Sequence, residues 1–180
     1  MTIRLARNGC WIRDGEPADA EPIAAIYNEG IRGRQATFET TERTADDVIS
    51  WFLASDAARH PFLVAEREGV TDRQVVGWVR ASAYRPRVCY AGIAEFSVYV
   101  SASARGARVG DALMTAFIPA CERVGMWKIL SRIFPENLAS RALCARHGFR
   151  EVGYYEKHAS LDGAWRDVVI VERLITTNLI

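Results

Sequence analysis

The sequence predicts an α/β (α+β) fold in which a mixed, mainly antiparallel central sheet carries helices on both faces. Three observations indicate this fold. Helical patterns are concentrated early in the chain, a strand–helix–strand–helix unit lies at its centre, and two strands joined by Asp-Gly close it. No internal repeat or low-complexity linker divides the 180 residues. We therefore expect a single domain that spans residues 1–180.

The first half of the chain combines strands with two helices. Apolar residues at helical spacing indicate the first helix. Thr44 is expected to cap the second, because its hydroxyl can accept hydrogen bonds from free backbone N–H groups. The predicted elements are a strand at 11–14, helices at 19–32 and 40–58, strands at 60–68 and 74–86, and a hairpin turn at 70–73.

The second half of the chain begins with a strand whose side chains alternate between two faces. Gly125 and Gly148 are expected to end the two helices that follow, since glycine is common just beyond a helix C-terminus. The predicted elements are a strand at 92–100, a helix at 107–124, a strand at 128–134, a helix at 137–148, and an antiparallel pair of strands at 149–161 and 164–175.

The composition indicates a cytoplasmic protein. Its net charge gives no indication of binding to nucleic acid or to a membrane. The hydrophobic fraction is 49% and the formal net charge is +1, so nothing calls for nucleic acid or a membrane surface. The four cysteines lack CxxC pairing, which indicates reduced thiols and no metal site. The N-terminus has no apolar segment typical of a signal peptide, and no apolar run approaches the ~20 residues of a membrane-spanning helix.

The stretch 95–113, EFSVYVSASARGARVGDAL, combines a strand, a polar turn and a helix start. Backbone N–H groups at the first turn of a helix are free, and the helix dipole adds partial positive charge there. Gly106 and Gly110 would let an anion such as a pyrophosphate approach the backbone closely. Taken alone, the turn is equally consistent with an ordinary basic surface.

The order of strand, Arg-rich turn, helix, strand and the segment PENLASRALCARHGF resembles the acetyl-CoA-binding core of the GNAT acetyltransferases. The ordered set IRDGEPADAEPIAAIYNEGI, ATFET, FLVAE, AEFSVYV and GAWRDVVIVERL resembles the phosphinothricin N-acetyltransferase branch. Within that branch, the chain is most similar to arsinothricin-resistance N-acetyltransferases. The resemblance extends over nearly the full length of the chain.

The resemblance implies acetyl-CoA as co-substrate and assigns residues to its binding. In the family, amides of the turn hold the CoA pyrophosphate, the preceding strand pairs with pantetheine, and an asparagine after the next strand assists. The implied cofactor-binding residues are Val98, Tyr99, Val100, Arg105, Gly106, Ala107, Arg108, Val109, Gly110, Asp111, Asn137 and Ser140.

Arg108 departs from the family turn pattern, which has glycine at this position. We expect it to lie in the first helical turn with its side chain pointing outward, because arginine is a good helix former. Its guanidinium could then meet a CoA phosphate. If the position instead requires a positive φ, the substitution would weaken cofactor binding.

Glu95 and Cys144 are the catalytic candidates. Acetyl transfer needs a neutral amine, and Glu95 matches the glutamate that removes the proton in the phosphinothricin branch. Cys144 replaces the tyrosine or histidine that protonates the leaving thiolate, and burial among apolar neighbours is an alternative role for it. Cys144 and His147 also lie three residues apart on a helix, which leaves a cysteine nucleophile as a less favoured alternative.

Aromatic and cationic residues ahead of Glu95 are the acceptor-site candidates. Phosphinothricin has an α-carboxylate and a γ-phosphinate, and arginine binds such oxyanions bidentately. Arg85 and Arg87 would share one face if the segment is extended. Phe38 matches a family aromatic that either covers the acceptor or packs in the core, and Trp165 is open to both roles. The predicted substrate-binding residues are Phe38, Tyr84, Arg85, Arg87 and Tyr90.

The resemblance implies an enzyme that acetylates the α-amino group of a glutamate-like antimetabolite and confers resistance to it. The alternatives are the same chemistry on methionine sulfoximine, methionine sulfone or another small amine, and a non-catalytic CoA-binding protein. Arg108 and Cys144 motivate the last alternative, and the retained Glu95, Arg105 and Asn137 weigh against it. Relatives of this branch are commonly dimers, so the resemblance also implies a homodimer.

Overall fold

The computed structural model describes residues 3–5, 9–54, 58–68 and 73–179. Its strands are β1 Ile3–Leu5, β2 Cys10–Asp14, β3 Phe62–Glu68, β4 Arg73–Ala83, β5 Ile93–Val100, β6 Lys128–Ile133, β7 Arg150–Leu161 and β8 Ala164–Leu174. Its α-helices are α1 Ala20–Gly33, α2 Ala45–Ala54, α3 Val109–Arg123 and α4 Leu138–Arg146. Within these ranges, no helix is both long and apolar enough to cross a membrane.

The strands form one eight-stranded sheet in the order β1-β2-β3-β4-β5-β6-β8-β7. Every neighbouring pair in this sheet is antiparallel except β5 and β6, which run parallel. The parallel pairing covers only three positions and ends at Glu95 opposite Leu130. The predicted fold class, a mixed and mainly antiparallel sheet, is confirmed.

Helices cover both faces of this sheet and bury two apolar clusters. The larger cluster joins α3 and α4 to the sheet and includes Leu113 and Phe117 of α3, Cys144 of α4 and Phe96 of β5. The smaller cluster joins α1 and α2 to the opposite face, centred on Trp78. Alternate residues of β5 therefore reach different clusters, as a period of two requires. The predicted placement of helices on both faces is confirmed.

Local sequence signals explain where several elements begin. Thr44 caps α2, because its Oγ1 accepts a hydrogen bond from the Asp47 N–H while the Asp47 carboxylate accepts from the Thr44 N–H at 2.8 Å. Several boundaries differ from the predicted ranges by a few residues, and the short strand β1 precedes the first predicted strand. The helix α2 begins at Ala45, directly after the predicted cap at Thr44, so residues 40–43 of the predicted range precede it. Residues 70–72 of the predicted hairpin turn lie outside the described residues.

The β7–β8 hairpin closes the chain as the Asp-Gly signal predicts. Asp162 and Gly163 have φ values of 49° and 79°, the left-handed conformations of a tight hairpin turn. The pairing of β7 with β8 shifts between Tyr155 and Ala159, where β7 bulges. Asp167 holds the bulge, since its carboxylate accepts hydrogen bonds from the Lys157 N–H and the Tyr154 hydroxyl. Bulges of this kind re-aim side chains near functional sites.

Candidate active site

A gap opens in the sheet where β5 and β6 part. Beyond the Glu95–Leu130 pair, β5 continues to Val100 and β6 continues to Ile133 without pairing to each other. The Phe96 carbonyl on this side accepts a hydrogen bond from the Ser131 hydroxyl at 2.9 Å. The rest of this β5 edge offers backbone groups with which an extended, amide-containing ligand can pair, as in β-strand addition.

A cleft of about 690 Å³ runs from this gap to the turn before α3. It brings together nearly all the residues predicted to bind the cofactor. The predicted residues that line it are Val98, Tyr99, Val100, Arg105, Gly106, Arg108, Val109, Gly110, Asp111, Asn137 and Ser140. Ala107 differs, because its side chain packs against the apolar cluster beneath α3.

The expectation that Arg108 lies in the first turn of the helix is wrong. It precedes α3 as the N-cap residue, with φ 58° and ψ 24° in the left-handed region. Arginine pays about 1–2 kcal/mol for this conformation, whereas glycine does not. The glycine of the family pattern therefore has a conformational reason, and Arg108 occupies the position under strain. Its guanidinium-bearing side chain is exposed and lines the cleft.

Gly110 has a packing role in addition to its place on the cleft wall. A Cβ atom built on Gly110 would approach a terminal methyl of Leu143 to 3.1 Å. The absence of a side chain therefore lets α4 lie close to α3. Gly106 has φ 78° and open space around its Cβ position, so conformation explains that glycine.

Charges at the start of α3 are arranged around Asp111. Arg146 from α4 binds the Asp111 carboxylate bidentately, at 3.0 and 3.1 Å, and His147 Nε2 lies 3.3 Å from it. These hydrogen bonds, chiefly those from Arg146, hold the pKa of Asp111 below its usual range. The carboxylate is thus offset by a cation, and Arg105, Arg108 and Arg146 make this end of the cleft attractive to phosphate groups.

The segment after α1 crosses the cleft and is tied to it by hydrogen bonds. The Tyr99 hydroxyl donates to the Ala36 carbonyl at 3.1 Å, and the Asn137 side-chain amide donates to the Gln35 carbonyl at 3.1 Å. Asn137 also caps α4, since its Oδ1 accepts from the Ser140 N–H at 3.1 Å. Asn137 therefore links the start of α4 to the wall of the cleft.

A second cavity of about 70 Å³ continues the cleft between β5 and β6. It is lined by residues of both strands and of α4, among them Ser97, Ser131, Arg132 and Cys144. Arg132 donates a hydrogen bond from Nη1 to Oε1 of Glu95. Both side chains keep contact with solvent, with exposed fractions of 36% and 27% respectively. The predicted base thus lies beside the gap, with a cation as its immediate partner.

Cys144 lies at the inner wall of the smaller cavity and is 2% exposed. Desolvation raises the pKa of its thiol to about 12. A thiol with this pKa is neither a ready nucleophile nor a good acid for a thiolate with an ordinary pKa near 8.5. The side chain of His147 contacts Asp111, as described above. The geometry therefore favours packing over nucleophilic catalysis for Cys144.

The predicted acceptor residues form two separate groups. β4 ends at Ala83, so Arg85 and Arg87 lie in a loop instead of sharing the face of an extended strand. In this loop, Tyr84 packs edge-on against Tyr90 at 5.7 Å between ring centroids. The guanidinium of Arg85 lies 5.2 Å from the centre of the Tyr84 ring.

Phe38 belongs to the second group and packs edge-on against Phe134 at 4.8 Å between ring centroids. Phe134 is buried with Leu161 and Val168, so Phe38 covers a small apolar cluster at the end of β6. Trp165 is 65% exposed and lies on β8. Among the described residues, the five predicted acceptor residues line neither cavity, and their roles in binding stay predictions.

Sequence reasoning missed Arg132 and the residues around Phe38. The guanidinium of Arg166 lies 5.1 Å from the centre of the Phe134 ring. The ring centroid of His158, which belongs to the β7 bulge, lies 6.2 Å from that of Phe38. One signal for Arg132 was available, because a charged residue stands in the strand segment KILSRIF between the apolar pairs Ile129-Leu130 and Ile133-Phe134. No comparable signal indicates the bulge.

Metal ligands are not clustered in the part of the chain described here. Across residues 3–5, 9–54, 58–68 and 73–179, no group of three or more His, Cys, Asp or Glu side chains is placed to hold a metal ion.

Comparison with known protein families shows to which family the chain belongs and therefore which ligand the cleft binds. The profile of the Acetyltransferase (GNAT) family matches residues 23–149, which include β5, the turn, α3, β6 and α4. The chain is a GNAT acetyltransferase. Such enzymes take the acetyl group from acetyl-CoA, and the cleft fits that co-substrate. Past Glu95, its β5 edge is not paired to β6 and can take the amide-bearing pantetheine arm, and its cationic turn lies where the phosphates would bind.

Individual relatives and solved structures show which branch of the GNAT family the chain is similar to. The enzyme is 33% identical to a phosphinothricin N-acetyltransferase from Alcaligenes faecalis over 173 residues, covering 95% of this chain and 85% of the relative. It is 30% identical to an L-methionine sulfoximine/L-methionine sulfone acetyltransferase from Pseudomonas paraeruginosa over 161 residues, covering 89% of this chain and 92% of the relative.

A GNAT phosphinothricin acetyltransferase from Sinorhizobium meliloti, solved in complex with AcCoA, superposes with a TM-score of 0.84. That structure is 28% identical to this chain, and the superposition covers 92% of this chain and 88% of the other. The predicted recognition of the phosphinothricin branch, the predicted enzyme class and the predicted co-substrate are confirmed.

Proposed function

We propose that this acetyltransferase moves the acetyl group of acetyl-CoA to the α-amino group of a glutamate-like antimetabolite of the phosphinothricin or arsinothricin type. Acetylation of the amine would give resistance to such a compound. The position of Glu95 supports this proposal most directly, because it lies where β5 and β6 part and its carboxylate accepts a hydrogen bond from Arg132, which lines the smaller cavity. We further propose that residues 1–180 form a single domain, in a cytoplasmic homodimer.

Glu95 acts as the general base in this proposal. Bound acetyl-CoA supplies an electrophilic thioester carbonyl along the free edge of β5. Glu95 removes a proton from the acceptor ammonium, directly or through one water, so that nitrogen regains its lone pair. The neutral amine then attacks the carbonyl carbon, the C–N bond forms and the C–S bond breaks. The thiolate leaves with the electron pair, and the second proton of the nitrogen passes to that thiolate or to solvent, which gives the neutral amide and the free CoA thiol.

Arg85 and Arg87 are the proposed partners of the acceptor's distal oxyanion. Both are exposed cations in the loop that leads into β5, where Arg85 lies over the ring of Tyr84 and Tyr84 packs against Tyr90. An arginine fork matches the two oxygens of a phosphinate or arsinate better than a lysine ammonium does. Phe38 would close the acceptor site from the side of Phe134.

The same chemistry on methionine sulfoximine or methionine sulfone is the second candidate. The similarity to the acetyltransferase from Pseudomonas paraeruginosa, whose name specifies these acceptors, favours it specifically. These compounds share the α-amino acid group with phosphinothricin and differ at the distal end. Both candidates therefore use Glu95 in the same way and differ in what the Arg85–Arg87 loop contacts.

A thiol-release assay with acetyl-CoA tests the function. The acceptors are L-phosphinothricin, arsinothricin, L-methionine sulfoximine and L-methionine sulfone, with spermidine as an amine that lacks a carboxylate. We expect the highest kcat/KM on phosphinothricin or arsinothricin. Higher kcat/KM on the methionine derivatives would favour the second candidate, and higher kcat/KM on spermidine would contradict both.

A further inference from the structure

The Glu95–Arg132 ion pair joins the two strands at the point where they part. In a parallel pair, opposed residues point to the same face, so Glu95 and Leu130 share a face, and Arg132 shares it two residues further along β6. This face is not the one on which Phe96 packs against α3. The pair therefore combines one anion and one cation on one side of the gap, next to the smaller cavity.

Both charges are accessible to a small ligand. Arg132 lines the smaller cavity together with the hydroxyl-bearing residues Ser97 and Ser131. The bond to Glu95 uses Nη1, and a guanidinium has five N–H donors in all, so Arg132 can contact a second carboxylate while it keeps Glu95. An ion pair that served only to join the strands would not need to border a polar cavity.

An α-amino acid carries the opposite arrangement of the same charges. Its ammonium and carboxylate are attached to one carbon, so they lie side by side, as the Glu95 carboxylate and the Arg132 guanidinium do. Such an acceptor can therefore place its nitrogen at Glu95 and its carboxylate on Arg132 at once. A simple amine satisfies only half of this site and leaves the cation without its second partner.

We propose that Arg132 binds the α-carboxylate of the acceptor and thereby selects α-amino acids over amines that lack a carboxylate. This inference rests on the proposed function and specifies which arginine binds which end of the acceptor. Arg85 and Arg87 lie in a loop whose residues are not among those lining the smaller cavity, so we assign them to the distal group and Arg132 to the α-carboxylate. Arg132 would thus determine the acceptor class, and the loop would determine the antimetabolite within that class.

The test compares two acceptors that differ only in the α-carboxylate. L-Phosphinothricin carries it, and 3-aminopropyl(methyl)phosphinic acid keeps the amine and the phosphinate without it. We expect the wild type to prefer L-phosphinothricin in kcat/KM. We expect Arg132→Gln to reduce that preference by ~10- to 100-fold, the range for a lost hydrogen bond to a charged group. Arg132→Lys keeps the charge but loses the fork, so its preference should be intermediate.

The ratio of the two acceptors separates substrate binding from an effect on the base. Removing Arg132 changes the surroundings of Glu95 equally for both amines, so that contribution cancels in the ratio. Arg141→Gln is the matched control, because Arg141 pairs with Glu151 and its side chain is 32% exposed, much like Arg132. This control should leave the preference unchanged.

An equal loss of kcat/KM on both acceptors in Arg132→Gln would overturn the inference and reduce Arg132 to a positioning residue for Glu95. A wild type that does not prefer L-phosphinothricin would overturn it even if the variants fail to fold. Absence of turnover on every amine would overturn the proposed function instead. In that case, calorimetric titration of L-phosphinothricin into the CoA-loaded wild type and Arg132→Gln proteins still tests the inference, and equal affinities would overturn it.

Discussion

Glu95, in the last residue pair that joins β5 to β6, accepts a hydrogen bond from Arg132, which lies two residues beyond that pair on β6. The proposed base is therefore held at the entrance of the gap by a cation that the sequence pattern of β5 does not reveal. This relationship also limits where an acceptor can bind. Its nitrogen must reach Glu95 from the side of the gap, where the smaller cavity meets the cleft.

Glu95→Gln should lower kcat by ~10² to 10⁴ and leave acetyl-CoA affinity nearly intact, because a glutamine cannot accept the acceptor's proton. The deficit should shrink as pH rises, since more acceptor is then already neutral. Steady-state kinetics from neutral to alkaline pH measure this change. Glu151→Gln is the control, because Glu151 also pairs with an arginine and lies on β7. A wild-type kcat for Glu95→Gln at neutral pH would exclude Glu95 as the base.

Arg105→Ala should raise the KM for acetyl-CoA by ~5- to 20-fold and change kcat less, because a charge-assisted phosphate contact contributes mainly to cofactor binding. Arg105 lines the cleft just before α3, whereas Arg123 is exposed at the far end of the same helix. Arg123→Ala is therefore the matched control, and its KM should stay at the wild-type value. Equal KM changes in both variants would indicate a general effect of net charge.

Arg108→Gly should be tolerated, with an unfolding free energy equal to the wild type or up to ~1 kcal/mol higher. Glycine removes the cost of the left-handed conformation but loses more backbone entropy on folding. Arg105→Gly is the matched comparison, because Arg105 has φ −63° and gains nothing from glycine. We expect it to be the less stable variant by ~1 kcal/mol in denaturant titrations.

Cofactor titrations of Arg108→Gly answer a separate question about the turn. A modest rise in the Kd for acetyl-CoA would show that the guanidinium assists the phosphates without being essential. Complete loss of binding would identify Arg108 as a principal phosphate contact of this chain, and the strained conformation would then serve to aim that side chain.

Cys144→Ala should lower the unfolding free energy by ~1 kcal/mol and change kcat little, because the buried thiol mainly fills space. Mass spectrometry of the wild type mixed with acetyl-CoA alone should detect no acetyl adduct on this cysteine. Kinetics with both substrates varied should be sequential. A chemically competent adduct on Cys144 would overturn direct transfer. A fall in kcat that histidine or tyrosine at this position restores would instead assign Cys144 the proton donation.

Thiol labelling checks the environment of Cys144 without a mutation. Burial raises the pKa of this thiol to about 12, so alkylation by iodoacetamide near pH 8 should be slow in the folded protein. Cys89 is exposed and provides the internal control, which should react first. Comparable rates at both sites would show that the interior around Cys144 opens readily.

Local patterns in the sequence determined most of the fold. The helical spacing of apolar residues indicated α1, the Thr44 cap defined the start of α2, and Asp162-Gly163 specified the final hairpin, because each signal acts within a few residues of chain. The same holds for the cationic turn before α3. The resemblance to a known family then supplied the co-substrate and the candidate base, which lies on a strand that the sequence already indicated.

Tertiary structure alone decided the features that depend on contacts between distant segments or on backbone geometry. Arg132 meets Glu95 only because β5 and β6 pair in parallel over three positions and then part, and no local pattern encodes that register. The left-handed conformation of Arg108 follows from the path of the chain into α3, which overrides the helix propensity of arginine. The residues predicted to bind the acceptor lie in two separate groups for the same reason: Arg85 follows the end of β4, whereas Phe38 packs against Phe134, which follows β6.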